Sequence, residues 1–324
     1  MIKNLITGIG GFVASHMADY LLEKNEIIYG TYRWTEDLSR IEHIKDKIIL
    51  VPLDLLDLGS CVNCIRECEP DYIYHLAAQS YVPDSFIYPA VTIQINTIGT
   101  LNLLEAIRLA IKTSFDYNPI VHICSSSEVY GQVESDEVPI KETNPLRPQN
   151  PYGIGKLGAD MVAYVYWRAY GIKTIRTRMF THTGPRRTME SAESSFAMQI
   201  TRIEKGLQEP IVKVGYLDSI RTIADVRDAV KAYYLLVRKC EPGEVYNIGG
   251  NKTLKVGEIL DFLISLSPMR EKIKIEIDPS RLRPSDVTLQ IPDCSKFKTQ
   301  TGWEPKISFE QTMIDLLNWW REQI

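Results

Sequence analysis

Residues 3–14 read KNLITGIGGFVA, a short apolar run followed by a glycine-rich turn and the start of a helix. Lys3–Thr7 has the pattern of a strand, and an apolar stripe of helical period begins at Phe12. Small residues let such a turn approach a pyrophosphate, and the first N–H groups of the helix then face the anion. The stretch predicts a dinucleotide site rather than an ordinary strand–helix turn, formed by Thr7, Gly8, Gly10, Gly11, Phe12 and Val13.

The same alternation of strand and helix patterns continues through the first half of the chain. Alternating strands and helices imply right-handed crossovers and a parallel sheet. The sequence therefore predicts an α/β protein with a Rossmann-type, doubly wound parallel sheet. The predicted strands are Lys3–Thr7, Glu26–Tyr32, Lys47–Leu53, Asp71–His75, Pro119–Ser125 and Ile172–Met179, and the long predicted helices are Val91–Ile111 and Tyr152–Tyr170.

After about residue 180, prolines punctuate shorter elements, which predicts a smaller α/β C-terminal substrate lobe. Two later segments, a helix at Ile223–Val237 and a strand at Glu244–Ile248, are regular enough to return to the main sheet. We therefore expect the lobes to interleave, with a cleft between them. The dinucleotide-binding domain is expected to span 1–178 plus about 218–249, and the substrate lobe about 179–217 plus 250–324.

Composition excludes several classes of protein. The 324 residues carry a formal net charge of −4 and are 44% hydrophobic. A mildly acidic chain lacks the clustered cations that nucleic acid requires, and its apolar content excludes disorder. No apolar run reaches the roughly 18 residues that span a bilayer. A strand pattern begins at the second residue, so we expect no signal peptide, no membrane partner and a cytoplasmic location.

The six cysteines are expected to be free thiols, as is usual in a cytosolic chain of this size. Cys61, Cys64 and Cys68 share one face of a predicted helix. A metal site would need a fourth ligand that no nearby residue supplies, so we predict a half-buried helix face and no metal.

The end of the second strand bears on the choice of cofactor. An NAD site usually places an acid there, whereas this chain has Thr31-Tyr32-Arg33. Arg33 is suited to a 2′-phosphate, which favours NADP and leaves NAD possible. Alternatively, it is a surface arginine, since Glu36 and Asp37 follow closely. Further cofactor contacts, or else packing and turn residues, are expected after the third and fourth strands, at Asp54, Leu55, Leu76, Ala77, Ala78 and Ser80.

A tyrosine and a lysine one helical turn apart are the candidate reactive groups. Asn150 and Pro151 suit the start of a helix, on which Tyr152 and Lys156 face the same way at i and i+4. A free phenol has a pKa near 10, and a nearby ammonium and a nicotinamide cation would lower it toward neutrality. Upstream, the run Ser125-Ser126-Ser127-Glu128 ends a predicted parallel strand, where side chains face the ligand crevice.

Six segments resemble the extended short-chain dehydrogenase/reductase family, and within it the GDP-mannose and GDP-mannoheptose 4,6-dehydratases. The resemblance covers essentially the whole chain. The segments are AAQSYVPDSF (77–86), SSSEVYG (125–131), PYGIGK (151–156), THTGPRR (181–187), IRTIADVR (220–227) and RPS (283–285). Four departures are Ala14 for the third glycine of the turn, Ser126 for a common Thr, Thr181 for Asn and Thr222 for Asp.

The resemblance implies a catalytic triad and a dehydration pair. Ser126, Tyr152 and Lys156 match the triad, and Ser127 and Glu128 match the pair. The implied cycle is redox-neutral, with NADP tightly bound and recycled. Tyr152 takes the sugar O4 proton as hydride leaves C4, Glu128 removes the C5 proton, water departs from C6, and hydride returns to C6. The expected product is a 4-keto-6-deoxy sugar.

Substrate contacts are expected from the second lobe and from the matched segments. Arg221 and Arg283 are candidates for the diphosphate, because guanidinium groups match phosphate oxygens. Surface or structural roles are as probable for each residue alone. The full set of expected substrate contacts is Ser85, Ser126, Glu128, Thr181, Lys213, Gly215, Arg221, Asn247 and Arg283, and His182 is placed at the cofactor beside the substrate.

Two alternative functions stay open. One is a nucleotide-sugar 4-ketoreductase or epimerase with the same triad, and the other is a non-catalytic NADP-binding sensor. The triad argues against a sensor, which has no need for a reactive tyrosine. The helices Val91–Ile111 and Tyr152–Tyr170 carry apolar residues on more than one side, so we also expect a homodimer with a four-helix interface, possibly a tetramer.

Overall fold

The computed structural model describes residues 1–113, 117–282, 284–285 and 287–324. Seven parallel strands form its main sheet, in the order β3-β2-β1-β4-β5-β6-β10. This order confirms the predicted Rossmann-type fold. The strands are β1 (Lys3–Thr7), β2 (Ile27–Tyr32), β3 (Ile49–Pro52), β4 (Tyr72–His75), β5 (Ile120–Ser126), β6 (Lys173–Met179) and β10 (Val245–Ile248).

Helices cover both faces of the main sheet. One buried cluster joins the sheet to α1 (Phe12–Glu23), α8 (Val226–Lys239) and the 3₁₀ segment Ser39–Lys47. The other joins it to α2 (Leu58–Cys68), α5 (Gly99–Thr113) and α6 (Pro151–Tyr170). Burial on both faces explains why the strands read as continuous apolar runs rather than as alternating patterns.

The helix boundaries differ from the predicted ones at two places. Helical structure runs from α4 (Pro89–Ile93) through a π turn at Gln94–Ile98 into α5, preceded by the short α3 (Val82–Ile87). The helix predicted from Ile223 begins at Val226 instead. The carboxylate of Asp225 accepts a hydrogen bond from Arg227 N and caps α8, so the residues before it are free to form a strand.

A smaller set of elements follows β6. A four-stranded sheet contains β7 (His182–Thr183), β9 (Ile220–Asp225), β11 (Lys252–Lys255) and β13 (Leu289–Gln290). A second, two-stranded sheet pairs β8 (Ile211–Val214) with β12 (Lys274–Ile277). Their core is completed by α7 (Ala192–Glu204), α9 (Val256–Ser265) and α11 (Phe309–Gln323), while α10 (Ser295–Thr301) packs on β10.

After β9, the chain returns to the main sheet. β10 pairs in parallel with β6, and α8 packs against α1. In contrast, β9, which lies within the 218–249 segment, belongs to the smaller sheet.

The cysteines are free thiols, as predicted, and Cys61, Cys64 and Cys68 are buried on α2 rather than half-buried. Within the described residues, no cluster of His, Cys, Asp or Glu is arranged to hold a metal ion. No helix in the described part of the chain is both long and apolar enough to cross a membrane.

Candidate active site

The glycine-rich turn is locked to the end of β4. The Thr7 hydroxyl accepts hydrogen bonds from Leu76 N and Ala77 N, each at 3.0 Å. The hydroxyl proton of Thr7 then donates to His75 Nδ1, which lies 2.9 Å from Thr7 Oγ1. Gly8 has a φ of +69°, and a Cβ there would lie 3.0 Å from Ala77 Cα. The first turn and the turn after β4 are therefore in contact, as a dinucleotide cradle requires.

A carboxylate that the motif does not contain also binds this turn. Glu36 accepts from Gly10 N and from Arg33 N, both at 3.1 Å. Arg40 donates to Gly10 O at 3.3 Å, and a Cβ at Gly10 would collide with the carbonyl oxygen of Asp37. The Arg33 side chain is exposed. Glu36, which follows β2, and Arg40, in the 3₁₀ segment, therefore both contact the turn.

An aromatic stack lies at the start of α1. The rings of Phe12 and His182 are stacked with centroids 6.1 Å apart, and the Arg187 guanidinium lies 5.0 Å from the Phe12 ring centroid. Burial lowers the pKa of His182 to about 4, so the ring is neutral. His182 Nδ1 bonds to Phe180 O, while its buried Nε2 has no hydrogen-bond partner among the described residues. His182 Nε2 thus lacks a partner and lies beside the N-terminus of α1, which no side chain caps. Both features fit a bound dinucleotide.

The remaining expected cofactor residues surround this cradle. Asp54 is exposed after β3, and its carboxylate accepts from Leu56 N at 2.9 Å. Leu55 is buried. The others after β4 and on α1 are partly or fully accessible: Leu76, Ala77, Ala78 and Val13 are half-buried, and Ser80 is exposed.

Tyr152, Ser126 and Lys156 lie together beside the end of β5. Asn150 caps α6 by accepting from Gly153 N at 2.7 Å, which fixes the first turn that carries Tyr152. Lys156 Nζ donates to Cys124 O at 2.7 Å, which holds the ammonium under the strand end. Ser126 Oγ accepts from Glu128 N at 3.2 Å.

The electrostatics of Tyr152 differ from the sequence-based expectation. Burial raises its pKa above the usual value, and the hydrogen bond with Ser126 only partly opposes this effect. Burial also lowers the pKa of Lys156. Desolvation thus disfavours the charged form of each group, which is the phenolate of Tyr152 and the ammonium of Lys156. The surroundings of Tyr152 in the protein therefore favour its neutral phenol over the phenolate.

Ser127 and Glu128 form a hydrogen-bonded unit with two amide side chains. Glu128 Oε2 accepts from Asn150 Nδ2 at 2.8 Å, and Oε1 accepts from Gln290 Nε2 at 3.2 Å. Ser127 Oγ donates to Gln290 Oε1, also at 3.2 Å. Both carboxylate oxygens thus face N–H donors, the arrangement that suits an ionised carboxylate. The unit adjoins Ser126 in the chain.

The candidate substrate residues fall in separate places. Lys213 is exposed on β8, and a Cβ at Gly215 would lie 2.7 Å from Arg281 O. Arg221 lies on β9 opposite Gln290, close to the Glu128 unit, and Thr181 is half-buried just before β7. Arg283 lies outside the described residues.

Two of the predicted substrate contacts are fully buried and hydrogen-bonded within the protein. Asn247 is 0% exposed; its side chain accepts from Tyr130 and donates to Ile140 O, so both polar atoms are already used within the protein. Ser85 is also 0% exposed, and its hydroxyl donates to Val82 O at 2.6 Å. Sequence position near the cleft does not reveal this burial, because it depends on how the side chains pack in the folded interior.

The sequence-based prediction did not include four polar residues of this site among the contacts of a ligand or of the reactive groups. Asn150 was recognised only as a helix cap. Glu36 was recognised only as a neighbouring acid, and Arg40 carried no motif. Gln290 is 162 positions from Glu128, and no local pattern relates the two residues.

Comparison with known proteins identifies the family. A sequence model described as GDP-mannose 4,6 dehydratase matches residues 5–316. The chain is 32% identical to GDP-6-deoxy-D-mannose reductase of Pseudomonas aeruginosa, over 98% of this chain and 97% of that protein. It is 30% identical to GDP-mannose 4,6-dehydratase of Yersinia enterocolitica, over 98% of this chain and 93% of that protein. The structure of RMD from Pseudomonas aeruginosa complexed with NADPH matches with a TM-score of 0.82 and 30% identity, covering 99% of this chain and 100% of that one. The chain belongs to the GDP-mannose 4,6 dehydratase family.

Proposed function

We propose that this protein is a GDP-sugar 4,6-dehydratase, a hydro-lyase that converts GDP-mannose or GDP-mannoheptose to the 4-keto-6-deoxy sugar. One observation carries the proposal. Ser127 and a doubly hydrogen-bonded Glu128 adjoin the Ser126–Tyr152–Lys156 group at one strand end. Alcohol oxidation needs only the latter group, whereas water loss needs a further acid and base.

The chain's own residues divide the chemistry into two parts. A bound nicotinamide supplies the hydride acceptor and, later, the donor. Tyr152 receives the O4 proton and Ser126 donates a hydrogen bond to the developing ketone. The ketone acidifies C5, so the carboxylate of Glu128 can remove that proton. Ser127 or Glu128 then protonates the departing C6 hydroxyl, which leaves as water.

The cofactor is a nicotinamide dinucleotide, and we propose NADP, which remains bound and is recycled. Arg33 is exposed at the end of β2, and Arg40 lies beside Gly10, so two cations are available for a 2′-phosphate. Glu36 is held by the N–H groups of Gly10 and Arg33 and would oppose that charge. NAD is therefore the alternative.

A second candidate function is a nucleotide-sugar 4-ketoreductase. The observation that favours it is the 32% identity to GDP-6-deoxy-D-mannose reductase. A reductase consumes reduced cofactor from solution, whereas a dehydratase returns the hydride to its own substrate. The requirement for added cofactor therefore distinguishes the two activities.

The test is incubation of the purified protein with GDP-mannose and, separately, GDP-mannoheptose, without added cofactor. A dehydratase gives a product lighter by one water, with a new methyl signal in the NMR spectrum from the hexose. A protein that leaves both sugars unchanged, but reduces a 4-keto-6-deoxy sugar when NADPH is supplied, is the reductase instead.

We also propose the expected division into lobes, with 1–178 plus about 218–249 binding the dinucleotide and about 179–217 plus 250–324 binding the GDP-sugar. A homodimer formed through α4–α6 is supported by exposed apolar residues on these helices, among them Val91, Ile154, Met161 and Val165. Lys213, Gly215, Arg221 and Thr181 remain the proposed substrate contacts.

A further inference from the structure

Gln290 reaches the reactive groups from a distant part of the chain. It lies on β13, which pairs with β9 at the position of Arg221. Its backbone carbonyl accepts from Thr222 Oγ1 at 3.3 Å, and its side chain is buried with the whole residue 3% exposed. The smaller sheet therefore delivers one amide side chain to the end of β5.

The amide contacts both members of the dehydration pair. Its oxygen accepts from the Ser127 hydroxyl and its nitrogen donates to Glu128 Oε1, each at 3.2 Å. The opposite orientation would place the amide oxygen against a carboxylate oxygen, which has no proton to donate. The acceptor oxygen of the Glu128 carboxylate therefore matches the Gln290 amide nitrogen, and the Gln290 amide oxygen in turn accepts the Ser127 proton.

We propose that Gln290 is a positioning residue for water loss, holding Ser127 and Glu128 in one geometry. This inference rests on the proposed dehydratase function. Asn150 fixes the other carboxylate oxygen but also caps α6, so it serves the helix that carries Tyr152. In the described part of the chain, no hydrogen bond joins the Gln290 side chain to Tyr152 or Lys156. Its loss is therefore expected to affect elimination and not the preceding oxidation.

The step that Gln290 is proposed to serve is the elimination of water across C5 and C6. The C5–H bond breaks and its proton passes to the Glu128 carboxylate, while the electron pair forms the C5–C6 double bond. The C6–O bond breaks with its electrons on oxygen, and that oxygen takes the proton from protonated Glu128 and leaves as water. Glu128 thereby returns to its carboxylate, and Ser127 keeps the proton that Gln290 Oε1 accepts.

The test compares Gln290→Leu with Gln132→Leu. Gln132 tethers the same segment by accepting from Thr288 N at 3.0 Å and donating to Thr288 Oγ1 at 2.8 Å, and its side chain bonds to neither Ser127 nor Glu128. Single turnovers with GDP-mannose are followed by absorbance of the reduced nicotinamide and by mass spectrometry of the sugar. Glu128→Gln provides the limit for lost proton transfer.

For Gln290→Leu we expect oxidation at the wild-type rate, elimination about 10- to 100-fold slower, and KM unchanged. Reduced nicotinamide should therefore accumulate, while Gln132→Leu behaves as wild type. If Gln290→Leu does not fold, Gln290→Met, which retains the side-chain length, is measured in the same way.

Wild-type elimination in the Gln290 variant, or equal slowing of oxidation and elimination, overturns the inference and leaves the proposed function intact. A wild-type protein that forms no 4-keto-6-deoxy sugar overturns the proposed function, and this inference with it.

Discussion

Tyr152 is half-buried, and the desolvation of its phenol works against ionisation. Desolvation raises its pKa, and Lys156 is held by Cys124 O. The proposed role of Tyr152 as a base therefore depends on a cation being added nearby, and an oxidised nicotinamide would carry one. On this proposal, occupancy of the dinucleotide site would favour ionisation of the phenol.

Replacing Tyr152 by Phe removes the proton acceptor with little change in shape. We expect cofactor binding to persist and turnover to fall about 10²- to 10⁴-fold, the usual contribution of general base catalysis. Cofactor fluorescence titration and product assays measure the two properties separately. A variant with wild-type turnover would exclude the tyrosine as the base.

The proposed preference for NADP depends on Arg33 and Glu36. Arg33→Ala should weaken NADP binding about 10-fold or more, the value of a charge-assisted hydrogen bond, and leave NAD binding unchanged. Glu36→Gln should strengthen NADP binding, because it removes a negative charge beside the proposed 2′-phosphate position. Equal effects of Arg33→Ala on both cofactors, measured by titration calorimetry, would contradict the preference.

The placement of candidate site residues was predictable where the residues are close in sequence. The glycine turn, the i,i+4 pair and the serine run are all contained within short segments, and the structure brings the members of each together. Asn247 and Gln290 show the opposite case. Each is a buried amide in a late segment, and only the packing reveals that Asn247 is consumed internally while Gln290 reaches Glu128.

The central strands carry buried histidines that make folding pH-dependent. His75 ends β4 and His122 lies in β5, and burial lowers the pKa of each to about 3. Because the unfolded chain binds their protons at higher pH, the folded state loses stability as pH falls below about 6.5. Each contributes a slope of up to about 1.4 kcal/mol per pH unit until its folded-state pKa is reached.

The contribution of His122, on β5, to this pH dependence of the unfolding free energy can be measured separately. His122 bonds to Thr177 Oγ1 at 2.8 Å, and His122→Gln retains a polar side chain without a titration in this range. Urea unfolding at several pH values between 5 and 7 should give a shallower pH dependence for the variant, whatever its absolute stability. Identical slopes for the two proteins would show that His122 does not titrate on unfolding.

At the scale of elements, strand and helix periodicity predicted the main sheet well because each strand is buried on both faces. The start of α8 was harder to predict from the sequence. The predicted helix included Ile223, Ala224 and Asp225, but these residues belong to β9, where they pair with β11 and β7. Tertiary pairing thus overrides a local pattern that fits a helix equally well.

The whole molecule presents an apolar face on α4–α6 that a second copy is proposed to cover. Met161 and Val165, one turn apart on α6, are 37% and 52% exposed. The double variant Met161→Glu/Val165→Glu should be monomeric by light scattering, because two carboxylates cannot be desolvated in an apolar interface. Leu207→Glu, at an exposed apolar site elsewhere, should stay dimeric. A monomeric wild type would contradict the dimer.

Short-range alternation predicts the parallel sheet, but it does not predict the return of Gln290 to the reactive groups. This return depends on contacts between segments more than 150 positions apart. Such pairings leave no period or spacing in one sequence. The link between the substrate lobe and the dehydration pair therefore emerges only at the scale of the complete fold.

The most direct measurement uses GDP-mannose carrying deuterium at C4, incubated with the protein without added cofactor. Internal hydride return predicts a 4-keto-6-deoxy product that has lost one water and carries the deuterium at C6. A product without the label at C6, or no product until NADPH is added, would contradict a dehydratase that recycles its own hydride.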